Sequence, residues 1–170
     1  MEILIVGVIA VALMIYTSTK IKKNAAAAFA EEKIETDEFS LLKPEGFLNP
    51  VENKDYLAFY AYSREYGEED AAEKVRQSLI KLKVTAGRTL TAIGKEIEKS
   101  FDQTFSEEKD GADTHLLKGS RTEKEAETVY YHKIVAGNEK IYDLEISILA
   151  EYDEKFAERA EKLLESFRVK

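Results

Sequence analysis

The sequence predicts an α+β fold, an antiparallel sheet flanked by amphipathic helices, preceded by one transmembrane helix. Three observations carry this. Residues 3–16 (ILIVGVIAVALMIY) form an unbroken apolar run, and Lys20, Lys22 and Lys23 follow it. Residues 79–84 and 140–150 alternate apolar with polar side chains at the period of two that marks a strand with one wet side. Two other stretches space their apolar residues three and four apart, at Leu90, Ile93, Ile97 and Phe101, and at Phe156, Ala160, Leu163, Leu164 and Phe167.

Residues 3–21 would make about 28 Å of helix at roughly 1.5 Å per residue, close to the thickness of a bilayer's hydrocarbon core. The isoleucines, leucines and valines of the run together favour insertion by roughly 3–5 kcal/mol. Thr17, Ser18 and Thr19 can bond back to carbonyls of the preceding turn, and Lys20 can reach the headgroups. A cleaved signal peptide would carry its positive charges before the apolar core, where only Glu2 and the amino terminus stand. The membrane-flanking Lys20, Lys22 and Lys23 keep their side cytoplasmic, so the remaining chain is expected in the cytoplasm; export to the periplasm or cell exterior is the alternative. The predicted organisation is a single-pass anchor over 1–23, a connector over 24–37 and one α+β domain over 38–170.

Within that domain, residues 39–42 are a short apolar segment stopped by the turn Pro44-Glu45-Gly46. Residues 56–62 (YLAFYAY) suit a pleated surface and read as a strand. Residues 67–76 are acidic and read as a helical turn, and 79–84 as the next strand. Thr89 is placed to cap the first amphipathic helix. Residues 106–112 read as a charged loop, 115–118 as a short strand and 121–127 as a charged connector. Residues 128–135 and 140–150 form a hairpin through Ala136-Gly137-Asn138-Glu139. Asp153 is the expected cap of the last helix, and both helices are expected to cover the apolar face of the sheet.

Composition narrows the function. The 170 residues contain no cysteine and no tryptophan, which excludes disulfides, thiol catalysis and thiolate metal sites. A formal charge of −8 argues against nucleic acid as a partner. Single sites offer little chemistry. His115 and His132 lack a third metal ligand at a readable spacing, and Ser78, Ser106 and Ser120 lack the glycine pattern of a nucleophile elbow. Gly87-Arg88-Thr89 before a helix could receive an anion, but it reads more simply as a cap. The acidic groups Glu68-Glu69-Asp70 and Glu107-Glu108-Lys109-Asp110 lack the alternating spacing of a calcium loop. No catalytic, cofactor or metal residue is assigned, and the chain is expected not to be an enzyme. Tyr56, Tyr60 and Tyr62 fall on one face of their strand, opposite Leu57, Phe59 and Ala61, and form the candidate surface for a protein partner. A ligand pocket between helix 89–101 and the sheet, involving Arg88 or His132, is the rival reading.

The order of these elements, with FSLLKPEGF at 39–47, ETVYYHKI at 127–134, IYDLEISI at 141–148 and LESFRV at 164–169, resembles the PsbP-like fold family (PsbP, DcrB-type and LpqN-type domains). The resemblance covers residues 38–169 and implies a binding or assembly module without catalysis. Its recurrent motifs, the PEGF turn and the SF after the last helix, carry fold and not chemistry. Exported relatives imply an envelope role as the alternative, although this chain lacks their lipobox cysteine.

Overall fold

The computed structural model describes residues 14–20, 22–23, 25–50, 56–67, 75–123 and 126–170. Residues 14–20, 22–23 and 25–28 are helical, and Thr17 and Thr19 donate to the carbonyls of Met14 and Ile15. Among the described residues no helix is long and apolar enough to cross a membrane; residues 1–13 and 21 of the expected span lie outside them. The helical turn expected at 67–76, with Glu68-Glu69-Asp70, lies outside the described residues over 68–74.

Ten strands follow. β1 (Glu32–Glu35), β2 (Phe39–Lys43) and β10 (Arg168–Val169) make a small antiparallel sheet in the order β1-β2-β10. β3 (Phe47–Leu48), β4 (Phe59–Ser63), β5 (Ser78–Ala86), β6 (Gln103–Asp110), β7 (Thr114–Glu123), β8 (Ala126–Gly137) and β9 (Lys140–Leu149) make the main sheet, ordered β3-β4-β5-β9-β8-β7-β6 and antiparallel throughout. Helix α1 (Leu90–Ser100) follows β5, and helix α2 (Asp153–Ser166) follows β9 after a single 3₁₀ turn. The 24–37 segment read as a connector therefore contains β1.

The core lies on one face of the main sheet. Phe59, Ala61, Ile80, Leu82, Tyr142, Leu144, Ile146 and Ile148 meet Phe156, Ala160 and Leu163 of α2 and Phe39 and Leu41 of the small sheet. Gly46, at φ 89°, makes the expected turn after Pro44 and delivers Phe47 edge-on to Phe156, with ring centroids 5.7 Å apart. Phe167 closes the helix end against Phe39. The β8–β9 hairpin turns through Asn138 and Glu139, both at positive φ, the geometry of a two-residue primed turn.

Four expectations are corrected. The two helices do not share a face: α1 lies on the opposite side of the sheet, where Ile93 packs with Leu117, Ile134 and Ile141. The 106–112 loop is mostly β6, an edge strand exposed at every position, which shows no side-chain alternation because it buries neither face. The 121–127 connector is the continuation of the β7–β8 ladder. Asp153 is the first residue of α2 and not its cap; its carboxylate accepts from the Tyr131 hydroxyl at 2.7 Å. Thr89 does cap α1, its hydroxyl oxygen accepting from the Ala92 N–H.

Candidate polar face of the sheet

Because strand side chains alternate, the residues opposite the core share a second face. Register aligns them in rows across the strands: Tyr60, Lys81, Glu145 and His132 in one, and Lys83, Asp143 and Ile134 in the next. Leu79, Ser147 and Tyr130 stand in a third row, where Tyr62 pairs with Leu79. Helix α1 covers the β7–β8 side through Ile93 and Ile97, and Phe101 lies against the Tyr130 and His132 rings. Gly119 permits this approach, since a Cβ there would fall inside the Phe101 ring's contact distance.

His132, Asp143 and Glu145 are buried on this face, each with a charged partner. His132 Nδ1 lies 2.8 Å from Asp143 Oδ1, and Lys81 Nζ donates to Glu145 Oε1 at 2.7 Å. Asp143, Glu145 and Ser147 alternate as the sequence suggests, yet they are buried and not solvated. Burial pushes the Glu145 carboxyl up, but Lys81, His132 and Lys83 pull it back further and hold it below the ordinary carboxylate value. Tyr130 is pushed up to about 12, chiefly by burial, although the Arg121 guanidinium 4.2 Å above its ring favours the phenolate. His115 sits beneath Gly94 of α1, with Nε2 2.9 Å from Glu107 on the edge strand.

The structure places the tyrosines unequally. Tyr60 and Tyr62 share the polar face, half-buried, with ring centroids 6.0 Å apart, and the Arg76 guanidinium lies 4.4 Å over Tyr62. Tyr56 precedes β4 and is 68% exposed. Lys20, Lys22 and Lys23 are exposed on the amino-terminal helical residues. Arg88 pairs with Glu96 of α1, while His132 belongs to the Asp143 pair, so they do not form one pocket. Ser78, Ser106 and Ser120 all stand on the core side of the sheet, away from both histidines. Among the described residues no three carboxylates or histidines gather at metal-binding distance. Sequence reading singled out His132 but missed its partner, because the pair forms across two strands and depends on their register. The shared signal was the alternation that puts His132 in step with Ile134 and Asp143 in step with Ile141.

No protein-family model and no curated protein sequence matches the chain. Solved structures do. LpqN of Mycobacterium tuberculosis, described as involved in cell envelope biogenesis, aligns at TM-score 0.57 and 10% identity over 82% of this chain and 90% of its own. The cyanobacterial PsbP of Synechocystis aligns at TM-score 0.53 and 10% identity over 84% and 94%. The Ran-binding protein Mog1p of Saccharomyces cerevisiae aligns at TM-score 0.50 and 12% identity over 83% and 96%. At such identities the likeness is one of architecture, and by that architecture this chain has the PsbP-like fold.

Proposed function

We propose that the chain is a non-enzymatic binding module held at the cytoplasmic surface of a membrane, recognising a protein partner through the tyrosine and lysine half of its polar face. The carrying observation is the unequal cover of that face. Helix α1 packs on β7 and β8, whereas Tyr60, Tyr62, Lys81 and Lys83 stand on β4 and β5 beyond it. Tyrosines with an apolar ring and a polar tip, beside lysines, suit a protein interface. The buried charges satisfy one another, His132 with Asp143 and Glu145 with Lys81. The roles described for LpqN and Mog1p, envelope biogenesis and Ran binding, support binding over catalysis as an analogy of fold. The apolar run before Lys20, Lys22 and Lys23 supports the anchor and its orientation.

The test is photo-crosslinking from position 60 or 62 in native membranes, with a topology reporter fused after Lys170. A discrete crosslinked protein is expected that disappears on changing the exposed Lys83→Glu, together with activity of the cytoplasmic reporter. Crosslinking no stronger than from the exposed Lys162 would remove the partner surface. Activity of only an exported reporter would move the domain to the envelope side.

A further inference from the structure

The core side of the main sheet is not completely covered either. Between α2 and the β6–β7 hairpin lies an open cleft of about 880 Å³. Its floor is apolar, built from Leu116, Val135, Leu164 and Val169. Its walls carry carboxylates: Asp110 on the β6 side, and Glu161 and Glu165 on the α2 side. The β6–β7 register adds Glu108, which pairs with Leu116 on the same face as Asp110.

These four carboxylates stand without an ion pair, unlike several acids elsewhere in the domain. Glu38, Glu65, Glu145 and Glu158 each have a lysine within ion-pair distance. Glu108, Asp110, Glu161 and Glu165 have no such partner among the described residues. The two cations that line the cleft make no contact ion pair with them among the described residues, although Lys133 lies near enough to interact with Asp110 and Glu165. Lys133 Nζ donates to the Leu164 and Phe167 carbonyls at 2.7 and 3.2 Å, and Arg168 donates to the Phe167 carbonyl at 2.8 Å. Both are committed to the carbonyls that end α2. The cleft therefore combines an apolar floor with an excess of negative charge, four carboxylates against Lys133 and Arg168.

We propose that this cleft docks an extended, basic segment of a partner protein, seating aliphatic side chains on the Leu116–Val135–Leu164 floor and lysines or arginines against Glu108 and Asp110 on one wall and Glu161 and Glu165 on the other. An extended chain alternates its side chains at the spacing this requires, one toward the floor and the next toward the rim. Complementary charge sets register and excludes acidic competitors, while the floor contributes the apolar burial. This site is on the opposite side of the sheet from Tyr60 and Lys81, and stands or falls independently of the polar face.

The test uses the full chain in nanodiscs and a labelled nine-residue peptide alternating valine with lysine, read by fluorescence anisotropy. The peptide is expected to bind, and a version with glutamate for lysine is not. Glu161→Lys with Glu165→Lys, both at exposed helix positions, should weaken binding at least tenfold and bring the glutamate peptide onto the cleft. Glu158→Lys on the same helix and Lys95→Glu on α1, across the sheet, should change nothing. Equal affinity for the double variant, no charge-swap rescue, or binding undiminished when serine replaces valine would overturn the proposal. So would self-association of the chain abolished by the same double variant, which would make a second copy the occupant.

Discussion

Glu145 is a carboxylate kept ionised at 5% exposure, and its neighbours explain how. Desolvation alone would raise its pKa; Lys81, 2.7 Å away, with His132 and Lys83, lowers it below 4.5 instead. A carboxyl whose folded value is depressed stabilises the domain above the unfolded value and loses that contribution as pH falls through the folded one. Denaturant midpoints followed downward from pH 7 should therefore hold steady for this group until about pH 4.5 and fall below it. Lys81→Met removes the nearest cation and leaves Lys83 at 3.8 Å. The loss at pH 7 should be about 2–4 kcal/mol, toward the value for breaking a buried pair. Part of that loss should be recovered at pH 5, because Glu145 can then take a proton. An equal loss at both pH values would show that the Lys81 stem packs and its charge contributes nothing.

At the scale of elements, α1 and the sheet touch through a glycine. A Cβ at Gly94 would lie 2.4 Å from His115 Nδ1, and His115 is buried and tied to Glu107. Alanine normally favours a helix interior over glycine by about 1 kcal/mol. Gly94→Ala should nevertheless destabilise the domain by about 1–3 kcal/mol, since the ring cannot yield without losing its partner; urea denaturation gives the sign directly. This helix was legible in the sequence, because Thr89 and the Leu90–Ile93–Ile97 spacing are local signals. Its side of the sheet was not. Leu117, Ile134 and Ile141, which receive α1, share their strand parity with polar residues such as His132 and Asp143, so alternation alone assigns them to a wet face. Edge strand β6 was unreadable for a related reason: backbone pairing with β7 forms it, and its exposed QTFSEEKD side chains carry no period. The tyrosine pair of the candidate site came from one strand and was readable; the His132–Asp143 and Lys81–Glu145 pairs needed the strand register.

The whole molecule closes at its two ends. β1 and β10 flank β2, and Lys170 N–H donates to the Glu38 carbonyl, so the first and last strands complete the small sheet together. At the centre of that junction Lys43 is fully buried, its ammonium donating to the carbonyls of Ala30 at 2.6 Å, Phe47 at 2.8 Å and Ala28 at 3.3 Å. Two of those three acceptors belong to the segment that leads out of the amino-terminal helix, and the Gly46 N–H donates to Phe29 just beside them. That segment is thus fastened to the domain and does not merely tether it. A chain beginning at residue 25 retains all three acceptors; one beginning at residue 38 loses Ala28, Ala30 and β1. The shorter chain should be less stable by about 2–4 kcal/mol, the scale of depriving a buried charged donor of two of its three acceptors. Packing lost with Ile34 would give the same direction, so truncation by itself does not identify Lys43 as the cause. Adding Lys43→Met to both chains separates the two. In 25–170 the substitution should cost stability, because three carbonyls lose their donor. In 38–170 it should cost far less or stabilise, because methionine removes an ammonium that has lost two of its three acceptors. The coupling read from the four denaturant midpoints then measures the clamp itself. Equal costs in both chains would mean that the amino-terminal carbonyls do not hold Lys43, and that the exit of the helix is set by packing alone.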